Sequence, residues 1–336
     1  MTEMITRGYI IKRTSYAIIT GIIALIINFL LPRLIPGNPA ITIILLNYHY
    51  LPPGKVALLE KEFGLANPNL FYQFERYIIE LFHGNLGISY YYYPQTVTHV
   101  IATHLPWTLF LLGTATGISS ALGIIVGKRM GWVSGSKTET GVSGFFVALT
   151  SLPYFWLAII LQLIFAVMLV IDGIHILPVG GAYGITVTEG FNSKFIISVL
   201  YHSILPIFTL VITTFPAFAL TMRNTMVNQK REDYILMANA KGIKQSDIIK
   251  NYAGRNAILP VTTHIVLAFG YIVAGDFFVE VVFSYPGIGY ALYLAITADD
   301  YPLIDGIFLI ITFTVIIANY IADLLYAHLD PRVELR

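Results

Sequence analysis

Apolar residues in this chain come in long blocks, not at the short repeats of a soluble strand or helix. Six blocks cover residues 15–34, 105–126, 142–171, 200–220, 259–282 and 303–325. Each is near or above the roughly 20 residues a helix needs to cross a bilayer. The pattern predicts an all-α membrane protein with six transmembrane helices. Residues 1–35 form the N-terminal segment and first span, and residues 36–104 are too mixed and charged to cross. Residues 105–327 form a five-helix core interrupted by a polar loop at 222–258, and 328–336 are a tail. Arg7, Lys12 and Arg13 precede the first block as in a signal peptide. The block is too long for a signal core and runs into Pro32, Pro36 and Pro39, which predicts a retained span.

Charge then sets the orientation. Of the 20 Lys and Arg residues, 15 lie in the N-terminus, the 128–141 and 222–258 loops and the tail. Cytoplasmic loops carry the excess of positive charge, so both termini and the polar loop are expected in the cytoplasm. Charged residues make up 12% of the chain, about half the share usual for soluble domains. The net charge of +1 gives no footprint for nucleic acid. There is no cysteine, which excludes disulfides, thiol catalysis and Cys-ligated metal.

The polar stretch at 233–260 reads DYILMANAKGIKQSDIIKNYAGRNAILP. Asp233 is expected to cap a first short helix with Tyr234, Met237 and Ala238 on one face. Gly242 suits the left-handed position that ends it. Ser246 or Asp247 is expected to cap a second helix carrying Ile248, Ile249, Tyr252 and Ala253, which runs into the next span at Leu259 and Pro260. Lys241, Lys244, Lys250 and Arg255 make the remainder basic. On the residues alone two readings stand: an amphipathic connector in the headgroup region, or a module that docks another protein. Flanking spans leave no room for a DNA-reading helix-turn-helix.

Within the spans, Gly113-x3-Gly117 and Gly123-x3-Gly127 predict close helix packing. Pro206 and Pro216 predict bends in the fourth span, and Gly270 and Gly275 beside Asp276 a loosened fifth. Ionisable groups in or near the spans are Asp276, Glu280, Asp305, Asp323, His202 and His264. Glu280, Asp323 and His202 are expected to sit solvated at interfaces. Asp276, the most interior, is the first candidate to line a pathway, with Glu280 second. The run at 90–93 suits an aromatic belt as well as a receiving platform. The GWVSGSKT segment lacks the second glycine and the preceding strand of a phosphate loop. No HExxH or GxSxG is present, so the chain by itself reads as no enzyme, with no metal or cofactor of its own.

Asp233, Tyr234, Ala238, Ala240, Lys241 and Gly242, followed by Arg255, Asn256 and Pro260, spell DYxxxAxAKG and RNAxLP. This resembles the coupling (EAA) loop of permease subunits in ABC importers, the dipeptide/oligopeptide/nickel branch in particular. Leu236, Met237 and Ala238 stand where the general loop has Glu-Ala-Ala. Further phrases resemble the same branch in order: RLxPGxPA from Arg33, FGLxxP from Phe63, GxLGxS from Gly84, ExVFSxPGxG from Glu280, Asp300-Tyr301-Pro302, and the ending from Asp323 to Arg332. The resemblance implies a type I, MetI-like permease with an extracytoplasmic insertion after the first helix. It implies half of a translocation pathway for di- or oligopeptides, coupled through these loop residues to two ABC ATPase subunits that carry ATP and Mg. A second homologous permease, an extracytoplasmic substrate-binding protein and the lipid bilayer are the other implied partners. The same machine carrying oligosaccharides is one alternative. A stand-alone secondary transporter is another, though no inverted repeat or carboxylate relay is visible.

Overall fold

A computed structural model describes residues 7–34, 41–42, 54, 57–58, 61, 69–171 and 174–329. The phrases at 35–40 and 63–68 and the ending at 330–336 lie outside the described residues. The described chain is almost wholly helical. Its strands are a two-residue antiparallel pair, β1 (Val170–Ile171) and β2 (Ile174–His175).

Two long helices form the axis. α3 (Val97–Trp132) and α6 (Ser193–Gln229) run 36 and 37 residues, about 54 Å each at 1.5 Å per residue. Thr96 caps α3 by accepting from His99 N–H, and Asn192 caps α6 by accepting from Phe195 N–H. A stripe of glycines lets them touch. A Cβ at Gly123, Gly127 or Gly131 would fall 2.4 Å from Phe218 Cβ, Ala219 O or Met226 Cβ. The Gly123-x3-Gly127 expectation holds and extends by one turn. The Gly113-x3-Gly117 expectation finds no counterpart among the described residues: none of them lies within 4 Å of a Cβ at either position. Pro206 and Pro216 both stand inside α6, which continues through them as one helix.

The other blocks are less regular. α1 (Arg7–Arg33) leaves most of its isoleucines exposed, as a helix bathed in lipid does. It is tied to the last helix by Asn28 Nδ2 donating to Thr312 Oγ1 at 3.1 Å and by Arg33 against Asp305 at 2.9 Å. α2 (Leu70–Phe82) is an amphipathic helix between α1 and α3. The third block is a pair, α4 (Lys137–Ser151) and α5 (Tyr154–Gln162), whose continuation reaches Met168 and which bends by 90°. Pro153 causes the break, since it cannot donate to the helix ladder.

The fifth block is also broken. α7 (Asp233–Ala240) and α8 (Gln245–Asp247) precede α9 (Gly254–Tyr271). After a 3₁₀ turn at Ile272–Ala274 the chain reverses at Gly275, whose φ is +75°. Two short helices follow, α10 (Phe277–Val282) and α11 (Ile288–Thr297), before α12 (Tyr301–Leu329). The loosening expected at Gly275 beside Asp276 is a full break: the helix stops at Tyr271 and a separate turn follows. Among the described residues four helices are long and apolar enough to cross a membrane, or five with the bent pair counted as one.

Candidate functional site

The 233–260 stretch folds as two short helices turned on Gly242. At the end of α7, Gly242 N–H donates to Asn239 O at 3.0 Å and Ile243 N–H to Ala238 O at 3.3 Å. This is a Schellman cap, and the φ of +74° at Gly242 is the left-handed conformation it requires. The N-termini depart from expectation. Glu232, not Asp233, stands at the N-cap of α7, and Lys244, not Ser246 or Asp247, at that of α8. The reason lies in the backbone: Glu232 O already accepts from Ile235 N–H at 3.0 Å, and Lys244 O from Ile248 N–H at 3.1 Å. Asp233 falls in the first turn instead, where a carboxylate favours the helix dipole.

Burial decides what the module can present. Ile235 and Ala238 turn inward and pack with Trp132, Phe218, Met222 and Met226 at the ends of α3 and α6, and with Ile248, Ala253 and Ala257. Tyr234 is half-buried, its hydroxyl donating to Gln229 Oε1 at 2.5 Å. Lys230 Nζ donates to Trp132 O at 2.6 Å, closing the same corner. Met237 is 61% exposed beside Leu236 at 62%. The buried pair is Ile235 with Ala238, so the expected face of Tyr234, Met237 and Ala238 is divided between the interior and the surface. Asp233, Ala240, Lys241, Gly242, Arg255, Asn256 and Pro260 are exposed, and Ala238 is interior. Exposed Lys244 and Lys250 add to this surface. The result is an apolar patch with basic side chains on the same module. It is continuous with the next long helix: a π turn at Ile248–Ala253 leads into α9 without a break.

The opposite end of the core carries two carboxylate clamps. Asp300 joins motifs 211 residues apart. Its Oδ2 accepts from Ser89 Oγ at 2.5 Å and Tyr91 N–H at 3.0 Å, and its Oδ1 from Leu303 N–H at 3.1 Å. It thus caps α12 while holding the GxLGxS turn, and burial pushes its pKa up against those hydrogen bonds. Glu280 is fully buried and accepts from Thr108 Oγ1 at 2.7 Å, Gly289 N–H at 2.6 Å and Tyr290 N–H at 3.2 Å. The solvated interface expected for Glu280 is corrected: its carboxylate lies under the N-terminus of α11, with no exposed surface to offer a pathway. Asp276 is half-buried and caps α10, accepting from Val279 N–H at 3.1 Å.

The remaining ionisable groups divide by environment. Asp305 is buried against Arg33, whose guanidinium also lies 3.7 Å over the Phe29 ring. His202 is half-buried, its Nδ1 2.8 Å from Ser198 O, and His264 lies against the Phe218 ring. The side chain of Asp323 is outside the described residues. Glu139 was not anticipated: it is buried at the start of α4, paired with Arg223 of α6 at 2.8 Å. GWVSGSKT folds as a turn between α3 and α4, with Ser136 capping α4 by accepting from Glu139 N–H.

Residues 119–335 match the family described as binding-protein-dependent transport system inner membrane component. A protein of Brucella abortus named for a peptide transport system permease is 32% identical over 325 residues, covering 97% of this chain and 98% of its own. The di/tripeptide transport system permease protein DppB of Pseudomonas aeruginosa is 31% identical, covering 97% and 98%. The oligopeptide transport system permease protein AppB of Bacillus subtilis is 30% identical, covering 97% and 99%.

Proposed function

This chain belongs to the family of binding-protein-dependent transport system inner membrane components, and we propose that it is the permease of an ABC importer for di- or oligopeptides. The observation that carries the coupling reading is the module at 233–260, an exposed apolar patch with basic neighbours, built into the base of α9. The names of the relatives favour peptides over sugars as cargo. Both termini and the module face the cytoplasm, following the distribution of positive charge. Six crossings fit that orientation, with α9 and the turn beyond Gly275 serving as the fifth.

The chain works with a second permease, two ATPase subunits that hold ATP and Mg, and an external binding protein. It has no hydrolytic role of its own. Leu236 and Met237 seat in a groove on an ATPase subunit, with Lys241 and Gly242 at its rim. Because Ile235 and Ala238 are embedded against α3, α6 and α9, a displacement of the patch is carried into the membrane core. The helices then part on the outer side and admit peptide. Asp276, at the turn after α9, lines that path.

The absence of native cysteine makes a direct test clean. Met237→Cys and Ile235→Cys are each introduced, and the native complex is treated with a short thiol–amine crosslinker. Met237→Cys is expected to give an adduct with an ATPase subunit, and Ile235→Cys none. Proteoliposomes of the complex should accumulate peptide only with ATP inside the ATPase compartment. Uptake without ATP, together with no adduct at Met237→Cys, would refute the reading.

A further inference from the structure

The turn beyond α9 is an irregular stretch of backbone in the region read as the fifth span. Such backbone is tolerated there only where its polar groups are satisfied by protein. The first three N–H groups of α11 have no partner in their own helix. Ile288 N–H donates to Thr108 Oγ1 at 2.8 Å, and Gly289 and Tyr290 N–H donate to Glu280 Oε2 at 2.6 and 3.2 Å. Thr108 in turn donates its hydroxyl proton to Glu280 Oε1 at 2.7 Å. One carboxylate from α10 and one hydroxyl from α3 thus cap α11 between them, and both are buried.

Three glycines surround that carboxylate. A Cβ at Gly287 would fall 2.3 Å from Glu280 Oε2, and one at Gly289 3.0 Å from the same atom. At Gly275 it would lie 3.8 Å from Glu280 Oε1 and 3.8 Å from Thr108 Cγ2. The turn after α9, the start of α11 and the N-terminal third of α3 therefore meet at one point. α3 is itself fixed to α6 by the glycine stripe, so this point is anchored to the axis of the fold.

We infer that Glu280, through Thr108, is a positioning residue: it pins the break after α9 to α3, so that movement of α9 turns α10 and α11 instead of being lost in a slack joint. The inference rests on the coupling reading above. Without the pin, the unsatisfied N–H groups of α11 seek other partners and the joint has several arrangements. Force arriving along α9 is then dissipated before it reaches the outer side.

Thr108→Val keeps the shape of the side chain and removes both of its hydrogen bonds; Thr108→Ser restores them. Glu280→Gln turns an amide N–H₂ toward the α11 N–H groups or toward Thr108. The assay is peptide uptake and ATP hydrolysis by the intact complex in proteoliposomes, expressed as ATP consumed per peptide moved. Thr108→Val is expected to raise that ratio about tenfold, the equivalent of one lost hydrogen bond to a charged group. Thr108→Ser should return it to within about twofold. The double variant with Glu280→Gln should be no worse than Glu280→Gln alone, since the two act as a unit. An unchanged ratio in Thr108→Val, or uptake and hydrolysis falling in step with the amount of assembled complex, overturns the inference. A wild-type complex that moves peptide without ATP removes the coupling reading and this one with it.

Discussion

Gly242 offers a perturbation whose size can be worked from geometry alone. Its φ is +74°, and nothing lies within 4 Å of a Cβ built there. A substitution meets no clash in this chain, so its cost is the backbone term. For an L-residue with a Cβ the left-handed conformation costs about 1–2 kcal/mol, with asparagine tolerated best. The two capping hydrogen bonds, from Gly242 and Ile243 N–H, are made by backbone and survive if the turn survives. If docking needs the turn in this shape, Gly242→Ala weakens ATPase binding by about 5- to 30-fold, at tenfold per 1.4 kcal/mol. The expected order is Gly, then Asn, then Ala, with Val weakest because a β-branched residue is a steric outlier at positive φ. Titration of purified ATPase subunits onto the permease in lipid nanodiscs reads the affinity, and peptide uptake reads the consequence. Ala at wild-type affinity would refute the reasoning, as would Asn as harmful as Val. Either result would mean that something other than the left-handed turn sets the geometry.

Two further outcomes concern the scaffold. Gly127→Leu forces a Cβ to within 2.4 Å of Ala219 O and 2.7 Å of Met222 Cβ. It should lower the stability of the chain in detergent by about 1–3 kcal/mol or more, while Gly113→Leu, with open space around it, leaves the thermal midpoint unchanged; equal effects would deny the glycine stripe its packing role. Ser89→Ala removes a buried donor to the Asp300 carboxylate. A loss of about 1.5–3 kcal/mol is expected, with faster proteolysis of the turn at 84–96, and no change in either would show that the clamp does not hold that region.

Much of the architecture is legible in the residues because the solvent is hydrocarbon. A bilayer demands long apolar blocks, so 105–126 and 200–220 locate α3 and α6 without any knowledge of their partners. Positive φ is equally local: glycine after an eight-residue helix, between two amphipathic stretches, predicts the turn that Gly242 makes. The order of the phrases from Gly84 to Pro302 carries the family, since each is a short string that survives on its own. What the residues leave open are distances between segments. Glu280 looks like an interfacial carboxylate in isolation, because its partners Thr108 and Gly289 N–H reach it only through the fold. Helical period leaves open whether Met237 or Ile235 shares the buried side with Ala238, and only Trp132, Met222 and Met226 choose between them. Gly275 beside Asp276 signals a loosening within the apolar block, but not a full break, since hydropathy measures transfer from water and is blind to which backbone N–H groups find a partner. Membership and the turn at Gly242 are thus written along the chain. Which residues of α7 stay exposed, which carboxylate caps and where the fifth block breaks are decided only when α3 and α6 close on each other.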